Sequence, residues 1–244
     1  MDTTNQKMIA SGENQANYLF IEDEVRWTLS TLFPSDATIE IRVLGGVFNG
    51  QNIGFSHTLS GYFDNANSVI EQLLRLKVAK GIYVTINEVN PELLSRSYNI
   101  LKKNDNTTSD KDIIRRRFLP VDIDPVRVSG TSATGQAKGK AKEVAQKVYN
   151  YLNSLEWPEP ICADSGNGYH ILYKIDERQN DNGLVMRVLT ALASMFDTAE
   201  VKIDLAVSNP ARIMRLYGTR ACKGSEVPSL NVYHRMSSVI RGAA

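Results

Sequence analysis

The sequence is short of cysteine, of net charge and of long apolar runs, and each shortage excludes a class of protein. Its 244 residues contain two cysteines, Cys162 and Cys222, which lie far apart in the chain, so neither a disulfide framework nor a zinc ribbon is expected. No apolar run approaches the roughly 20 residues that span a bilayer. Residues 1–15 are polar, unlike a signal peptide. We therefore expect a cytoplasmic protein without a membrane partner.

The formal net charge is only +1, which argues against nucleic-acid binding through a positive field over the whole protein. Any such binding must come from local clusters of basic residues. The candidate clusters are Arg115 with Arg116 and Arg117, the series Lys138, Lys140, Lys142 and Lys147, and the group Arg212, Arg215, Arg220 and Lys223.

The spacing of apolar residues predicts an α+β protein whose first part, about residues 18–115, forms an αβ lobe. Residues 1–17 are expected to be a flexible start. The predicted elements, in chain order, are a helix at 18–33, a strand at 38–44, a turn at 45–56, a strand at 58–63, a helix at 65–79, a strand at 81–87, a short helix at 91–101 and an exposed loop at 102–112.

In the second part, about residues 116–241, the spacing of apolar residues predicts the ferredoxin-like order of strand, helix, two strands, helix and strand. The predicted elements, in chain order, are a strand at 117–124, a helix at 138–155, strands at 161–163 and 169–175, a helix at 184–196 and a strand at 201–205. No internal repeat is evident.

Three carboxylates are candidates for metal binding. Asp122 and Asp124 stand two residues apart on a predicted strand, so both side chains leave the same face, roughly 6–7 Å apart along the backbone. Two carboxylates on one face can share hard cations, as two-metal phosphoryl transfer requires. An isolated pair of this kind is more often a solvated strand end, but the apolar residues that alternate with these acids favour a site. Asp204 lies in another short apolar strand, with a cap or a surface position as its alternative role.

A glycine-rich turn and a basic segment are candidates for phosphate binding. The turn contains Ser165 and two glycines and is followed by His170; such turns let backbone N–H groups approach an anion. An ordinary hairpin with a structural histidine is the alternative. The basic residues that follow Asp204 suit charge-assisted bonds to phosphates, and a solvated surface is their alternative.

Four segments together resemble the archaeo-eukaryotic primase superfamily, in particular the primase-polymerase domains of phages, plasmids and CRISPR-associated elements. The segments are Val-Asp-Ile-Asp-Pro-Val-Arg from Val121, Ser-Gly-Asn-Gly-Tyr-His from Ser165, Lys-Ile-Asp from Lys202 and Asn-Pro-Ala-Arg-Ile-Met-Arg-Leu-Tyr-Gly-Thr from Asn209. The resemblance covers residues 80–240 and implies one catalytic domain at 18–241. In that family the active site lies between an N-terminal lobe and an RRM-like lobe.

The resemblance implies a template-dependent DNA primase-polymerase that adds nucleotides to a 3′-hydroxyl with two Mg²⁺ or Mn²⁺ ions. Its partners would be a single-stranded or primed DNA template, a dNTP or NTP, and a helicase region or partner protein outside this chain, in a prokaryotic, phage or plasmid setting. The implied metal ligands are Asp122, Asp124 and Asp204. The implied nucleotide contacts are Ser165, Gly166, Asn167, His170, Arg212, Arg215 and Lys223, with Tyr83 against the sugar and Asn87 bonded to the nucleotide.

Two other functions remain open from the sequence. One is a non-catalytic nucleic-acid-binding or origin-recognition module of the same fold, against which the presence of all three acids counts. The other is a metal-dependent nuclease. The glycine-rich turn and the basic segment favour a triphosphate substrate over the bare phosphodiester that a nuclease would bind.

Overall fold

The structure is a computed structural model that describes residues 19–104 and 106–241, so the predicted flexible start at 1–17 lies outside the described residues. In this part of the chain the protein is a mixed α+β structure of antiparallel sheets and a few helices. No helix there is long and apolar enough to cross a membrane.

The first sheet is built mainly from the N-terminal part of the chain. Its strand order is β11-β4-β1-β2-β6, and β3 pairs with the end of β1. Two helices cover one face, where apolar side chains such as Val25, Val69 and Val84 form a single core. The elements are α1 (Glu22–Leu32), β1 (Ile39–Phe48), β2 (His57–Phe63), α2 (Ala66–Leu74), β3 (Leu76–Val78), β4 (Gly81–Thr85), β6 (Lys102–Lys103) and β11 (Ile213–Arg215).

The second sheet has the strand order β10-β7-β9-β8-β14, and β5 pairs with β7. Its chain order β7-α3-β8-β9-α4-β10 confirms the predicted sequence of strand, helix, two strands, helix and strand. Its elements, with the small separate pair β12 and β13, are β5 (Glu88–Val89), β7 (Ile113–Pro125), α3 (Gly135–Ser154), β8 (Ile161–Asp164), β9 (Tyr169–Arg178), α4 (Leu184–Phe196), β10 (Val201–Ile203), β12 (Arg220–Ala221), β13 (Arg235–Met236) and β14 (Ser238–Val239).

Three predictions for the first part of the chain were wrong in detail. The turn predicted at 45–56 begins later, because β1 continues to Phe48 through a bulge at which Gly45 adopts a φ of +60°. The helix predicted at 65–79 ends at Leu74, and the next residues form β3 because Val78 pairs with Val47. The loop predicted to be exposed at 102–112 buries Thr108, whose backbone N–H donates to Glu40.

The two sheets are interleaved along the chain rather than separated at one point. The boundary predicted near residue 115 falls inside β7, and β11 comes from the C-terminal part yet pairs with β4 of the first sheet. Conversely β5, which follows β4 in the chain, pairs with β7 of the second sheet. On β7 the side chains of Val121 and Ile123 pack in the core beneath α3 and α4. The alternation of a strand therefore places Asp122 and Asp124 on its other face.

Candidate functional site

A pocket of about 110 Å³ lies between the two sheets and contains most of the residues that the sequence singled out. The first sheet contributes Tyr83 and Arg215, and the second contributes the acids of β7 and the turn before β9. The lining residues are Tyr83, Asp122, Asp124, Arg127, Ser165, Asn167, His170, Ile213, Met214, Arg215 and Lys223.

Asp122 and His170 are direct cross-strand partners on β7 and β9. Asp122 Oδ1 lies 3.4 Å from His170 Nε2 and is buried without a hydrogen bond. On its other side, His170 Nδ1 lies 2.8 Å from the hydroxyl of Tyr217, a fully buried residue. Burial, and then the charge of Asp122, raises the pKa of Tyr217 well above its ordinary value. The Tyr217 phenol therefore stays protonated and fixes the orientation of the imidazole beside Asp122.

Asp124 lies at the end of the same strand and faces a cation and a glycine. Arg127 Nη2 donates to Asp124 Oδ2 at 3.0 Å. A Cβ atom at Gly168 would lie 2.4 Å from Asp124 Oδ1 and 2.3 Å from the backbone oxygen of Ile123. Only a residue without a side chain therefore fits beside this carboxylate, which explains the second glycine of the turn.

The two carboxyl groups have opposite pKa shifts. Burial acts to raise the pKa of Asp122, but His170, Arg127 and Lys223 outweigh it and hold that pKa below the ordinary value. Burial and then the negative charge of Asp122 raise the pKa of Asp124. Two acids this close repel each other when both are ionised, and a bound cation would relieve that repulsion.

The glycine-rich turn is held rigidly against the pocket. Ser165 Oγ accepts a hydrogen bond from the Gly168 N–H at 2.9 Å, and Asn167 Oδ1 accepts one from the Ala133 N–H at 2.8 Å. Both side chains are more than nine-tenths buried. Gly166 has a φ of +93° and lies too close to Ala221 for a side chain, so its contribution is backbone geometry.

Two cations complete the pocket. The Arg215 side chain is 6% exposed, its Nη2 donates to the Tyr83 hydroxyl at 3.1 Å, and its guanidinium lies 4.4 Å from the centre of the Tyr83 ring. Its Nε and Nη1 atoms are buried without a hydrogen-bond partner. Lys223 is exposed at the rim. These groups suit an anion, since each N–H of a guanidinium can donate to a phosphate oxygen.

The third predicted acid lies next to the pocket rather than in it. The Asp204 N–H donates to the Asp122 backbone oxygen at 2.9 Å, so the two residues are neighbours across the β7 and β10 edge. Asp204 Oδ1 accepts from the Ala206 N–H at 2.9 Å and so caps a short 3-10 helix, Leu205–Ser208. Asp204 lines an adjoining open cavity of about 380 Å³, which shares Asp124, Arg127 and Lys223 with the pocket.

Three predicted nucleotide contacts, Gly166, Asn87 and Arg212, do not line the pocket. Asn87 is 2% exposed, and its amide bonds the backbone of Pro210, Arg117 and Phe118. It lines a different cavity of about 460 Å³ below the end of α1. Arg212 is half-buried, and its backbone oxygen accepts from the Ile86 N–H. The structure therefore gives Asn87 a structural role, because every polar atom of its amide is already bonded to main chain.

Two residues of the site, Arg127 and Tyr217, were not predicted from the sequence. Arg127 was part of the quoted segment that follows Asp124, and the signal available was a cation three residues after an acid at the end of a strand. Tyr217 also lay within a quoted segment, but no local pattern indicates that its hydroxyl reaches His170. That contact joins two residues 47 positions apart in the chain.

The acids of the pocket fit a hard divalent cation in part. Asp122 Oδ1 is a buried carboxylate oxygen without a hydrogen bond, and carboxylate oxygens are ligands that Mg²⁺ and Mn²⁺ prefer. Across residues 19–104 and 106–241, however, no group of three or more histidine, cysteine or acidic side chains is arranged to hold a metal ion. In this arrangement Asp122 and Asp124 are the candidate ligands, and Asp204 has one oxygen committed to its cap. No protein-family model matches the chain, and no curated protein does so either.

Proposed function

We propose that the protein is the catalytic core of a template-dependent nucleotidyltransferase of the archaeo-eukaryotic primase type, a DNA primase-polymerase. The two interleaved sheets would then correspond to that family's N-terminal and RRM-like lobes. Its substrates would be a single-stranded or primed DNA template and a dNTP or NTP. The observation that carries the proposal is one pocket in which an acid pair faces a buried arginine that has no carboxylate partner in the described residues.

The charges of the pocket suit a metal-bound polyphosphate better than either of its components alone. Asp122 and Asp124 would hold the Mg²⁺ or Mn²⁺ ions, and Asp204, whose backbone N–H donates to the backbone oxygen of Asp122, would be the third ligand. When bound, such ions stabilise the charge that develops in phosphoryl transfer. Arg215 and Lys223 would donate to phosphate oxygens, which carry the opposite charge to the acids.

The remaining residues would orient the nucleotide and the acids. Gly168 leaves room beside Asp124, and Ser165 fixes the turn whose backbone approaches the pocket. His170, held by Tyr217, would present Nε2 to Asp122 or to a phosphate oxygen. Arg127 balances the charge of Asp124 until a cation is bound. Catalysis would then rest on positioning and on electrostatic stabilisation, as phosphoryl transfer requires.

Two other functions are kept as outcomes of the test. A non-catalytic nucleic-acid-binding module would keep the fold and would have no need of a buried unpaired arginine opposite two acids. A metal-dependent nuclease would use the acids on one phosphodiester of the nucleic acid, whereas Arg215 and Lys223 in the same pocket favour the more highly charged triphosphate.

The test is a primer-extension assay with Mg²⁺ or Mn²⁺, a labelled primer on a template, and dNTPs or NTPs, alongside an unprimed template. Asp122→Ala is the variant, and Asp176→Ala is its matched control because that aspartate is 61% exposed outside the pocket. We expect template-matched extension that is lost in Asp122→Ala and kept in Asp176→Ala. Products from the unprimed template would add primase activity.

Three results would contradict the proposal. Extension retained by Asp122→Ala would remove the role of the acid pair. Tight DNA binding without any product would favour the binding module. A primer that becomes shorter, in a reaction that Asp122→Ala abolishes, would identify a nuclease.

A further inference from the structure

Arg215 is buried without the partners that a buried arginine ordinarily has. Its side chain is 6% exposed, and neither Nε nor Nη1 has a hydrogen-bond acceptor in the described residues. Removing a charge from water is unfavourable unless that charge is paired. Arg215 lines the pocket that holds the two acids of β7, and an anion bound there would supply an acceptor that the guanidinium lacks.

Tyr83 makes the polar and aromatic contacts that hold the Arg215 guanidinium. The two residues are direct cross-strand partners on β4 and β11. The Tyr83 hydroxyl accepts from Nη2 at 3.1 Å, and the guanidinium carbon lies 4.4 Å from the ring centre. A cation over an aromatic face is stabilised by the quadrupole of the ring, so Tyr83 fixes both the plane and the position of the guanidinium.

Gly81 leaves the space that this pair occupies. It lies two residues before Tyr83 on β4 and therefore on the same face of the strand. A Cβ atom at position 81 would lie 2.6 Å from Arg215 Nη1 and 2.8 Å from Tyr83 Cε2. Gly81, Tyr83 and Arg215 thus form one packed unit, in which the guanidinium has a single place to lie.

We propose that Tyr83 is a positioning residue for Arg215, and that the Arg215–Tyr83 pair is a polyphosphate-binding element formed before any ligand arrives. The inference rests on the proposed function in one respect, which is that the polyphosphate belongs to a nucleotide. It also assigns Tyr83 a different role from contact with the sugar, because its hydroxyl is already engaged by Arg215. The pre-formed geometry lowers the entropy lost when the anion binds.

The experiment measures binding of inorganic tripolyphosphate by calorimetry in the presence of a chelator, so that the result does not depend on metal or on turnover. The variants are Tyr83→Phe, which keeps the ring, and Tyr83→Leu, which removes ring and hydroxyl. Tyr98→Phe is the matched control, because that tyrosine is 61% exposed in the same part of the chain. Thermal unfolding of each variant verifies that it is folded.

We expect Tyr83→Phe to weaken tripolyphosphate binding about 3- to 10-fold, since one hydrogen bond to a charged group is lost. Tyr83→Leu should weaken it about 10- to 100-fold, since the cation–π contact is lost as well. Tyr98→Phe should bind as the unmodified protein does. In extension assays the Tyr83 variants should raise the KM for the nucleotide and leave kcat nearly unchanged.

A double-mutant cycle separates positioning from direct contact. If Tyr83 acts through Arg215, then Tyr83→Phe has no further effect on binding in an Arg215→Lys background. The positioning role of Tyr83 would be overturned if the Tyr83 variants bound tripolyphosphate as tightly as the unmodified protein, or if the effects in the cycle were additive. Either result would leave the proposed function unaffected. Failure of the unmodified protein to bind tripolyphosphate would overturn the inference and the nucleotide assignment together. Binding as expected without any primer extension would leave this anion site in place and contradict only the proposed function.

Discussion

The backbone N–H of Asp204 donates to the backbone oxygen of Asp122 at 2.9 Å, so the last predicted acid is attached to the strand that carries the first two. Its side chain meanwhile caps a 3-10 helix through the Ala206 N–H. Asp204 therefore follows β10 directly, beside the strand that carries the other two acids, and its side chain is a structural cap. Under the proposed function it would also be a metal ligand. The cap needs only an oxygen, whereas the proposed stabilisation of the metal ions also uses the negative charge.

Substitution at Asp204 separates these roles. Asparagine keeps an oxygen that can accept from the Ala206 N–H but removes the charge, whereas alanine removes both. We expect Asp204→Asn to lose extension activity at least about 100-fold with an unchanged unfolding midpoint, since several kcal/mol of charge stabilisation depend on such ligands. Asp204→Ala should also lose about 0.5–2 kcal/mol of unfolding free energy. The matched control is Asp197→Asn, which removes a nearby acid outside both cavities. Full activity in Asp204→Asn would limit this residue to capping.

Gly168 and Gly139 provide a matched pair of glycine substitutions. A Cβ at Gly168 would collide with Asp124 and Ile123, whereas a Cβ at Gly139, inside α3, meets nothing within 4 Å. We expect Gly168→Ala to lower the unfolding free energy by about 1–3 kcal/mol through overpacking and to reduce extension activity by displacing Asp124. Gly139→Ala should raise stability by about 0.5–1 kcal/mol with unchanged activity, because alanine is the better helix former. Urea unfolding and primer extension measure both effects. Equal behaviour of the two variants would contradict the close approach at Gly168.

Glu40, which lies outside the candidate site, should make the free energy of unfolding depend on pH. Burial acts to raise its pKa, but the Arg42 guanidinium and hydrogen bonds from Ser60 and Thr108 outweigh this effect and lower it below 4.5. Because the pKa in the folded state lies below that in the unfolded chain, the stabilisation is present above about pH 4.5 and is lost as the pH falls through the folded-state value. We expect Glu40→Gln to lose about 1–3 kcal/mol of unfolding free energy at neutral pH.

In urea titrations, the difference between the unmodified protein and Glu40→Gln should stay constant from pH 7 to about pH 4.5 and then shrink as the pH falls towards 3. Glu143→Gln, at an exposed position of α3, is the control and should show no such change. A difference that stays constant with pH would mean that the charge of Glu40 contributes nothing to stability.

Asn87 should affect stability and not nucleotide affinity. Its amide bonds the backbone of Pro210, Arg117 and Phe118, which joins the end of β4 to β7 and to the segment before β11. We expect Asn87→Ala to lower the unfolding free energy by about 2–4 kcal/mol, because these buried backbone groups are left unpaired. The KM for nucleotide should remain within about twofold of that of the unmodified protein. A substitution outside the pocket is expected to change the nucleotide-binding free energy by less than about 0.4 kcal/mol. Asn153→Ala, at an exposed helix position, serves as the control. A large rise in KM would restore the direct nucleotide contact implied by the sequence.

Local sequence pattern was sufficient to predict much of the second sheet. The alternation around Asp122, the prolines that follow α3 and the glycine-rich turn between β8 and β9 are all signals within a few residues of the elements they define. The order of these elements could be predicted because apolar residues recur with a period of about 3.6 residues in a helix and of two in a strand. The prediction that Asp122 and Asp124 share a face also depends only on strand periodicity.

Contacts between distant segments were not predictable from pattern. Leu76–Val78 continues the apolar spacing of α2, and it becomes a strand only because the end of β1 is beside it. The stacking of Arg215 on Tyr83 requires β11 to join β4, and neither segment carries a local signal for that pairing. The assignment of Asn87 to the nucleotide came from the family resemblance, whereas the backbone groups that bind its amide come from two other segments.

The insertion of β11 beside β4 has a consequence for the order of events during synthesis. A ribosome delivers β1, β2 and β4 long before Ile213–Arg215, so the growing chain presents β4 as an open edge for most of its translation. Open edges pair readily with other chains, and the delayed arrival of β11 defines the interval in which the nascent protein is vulnerable to aggregation. The same delay means that a prematurely released chain without Arg215 has acids but no buried guanidinium opposite them. The pocket is thus completed late, because its lining includes Arg215 and Lys223, which are translated long after the acids of β7.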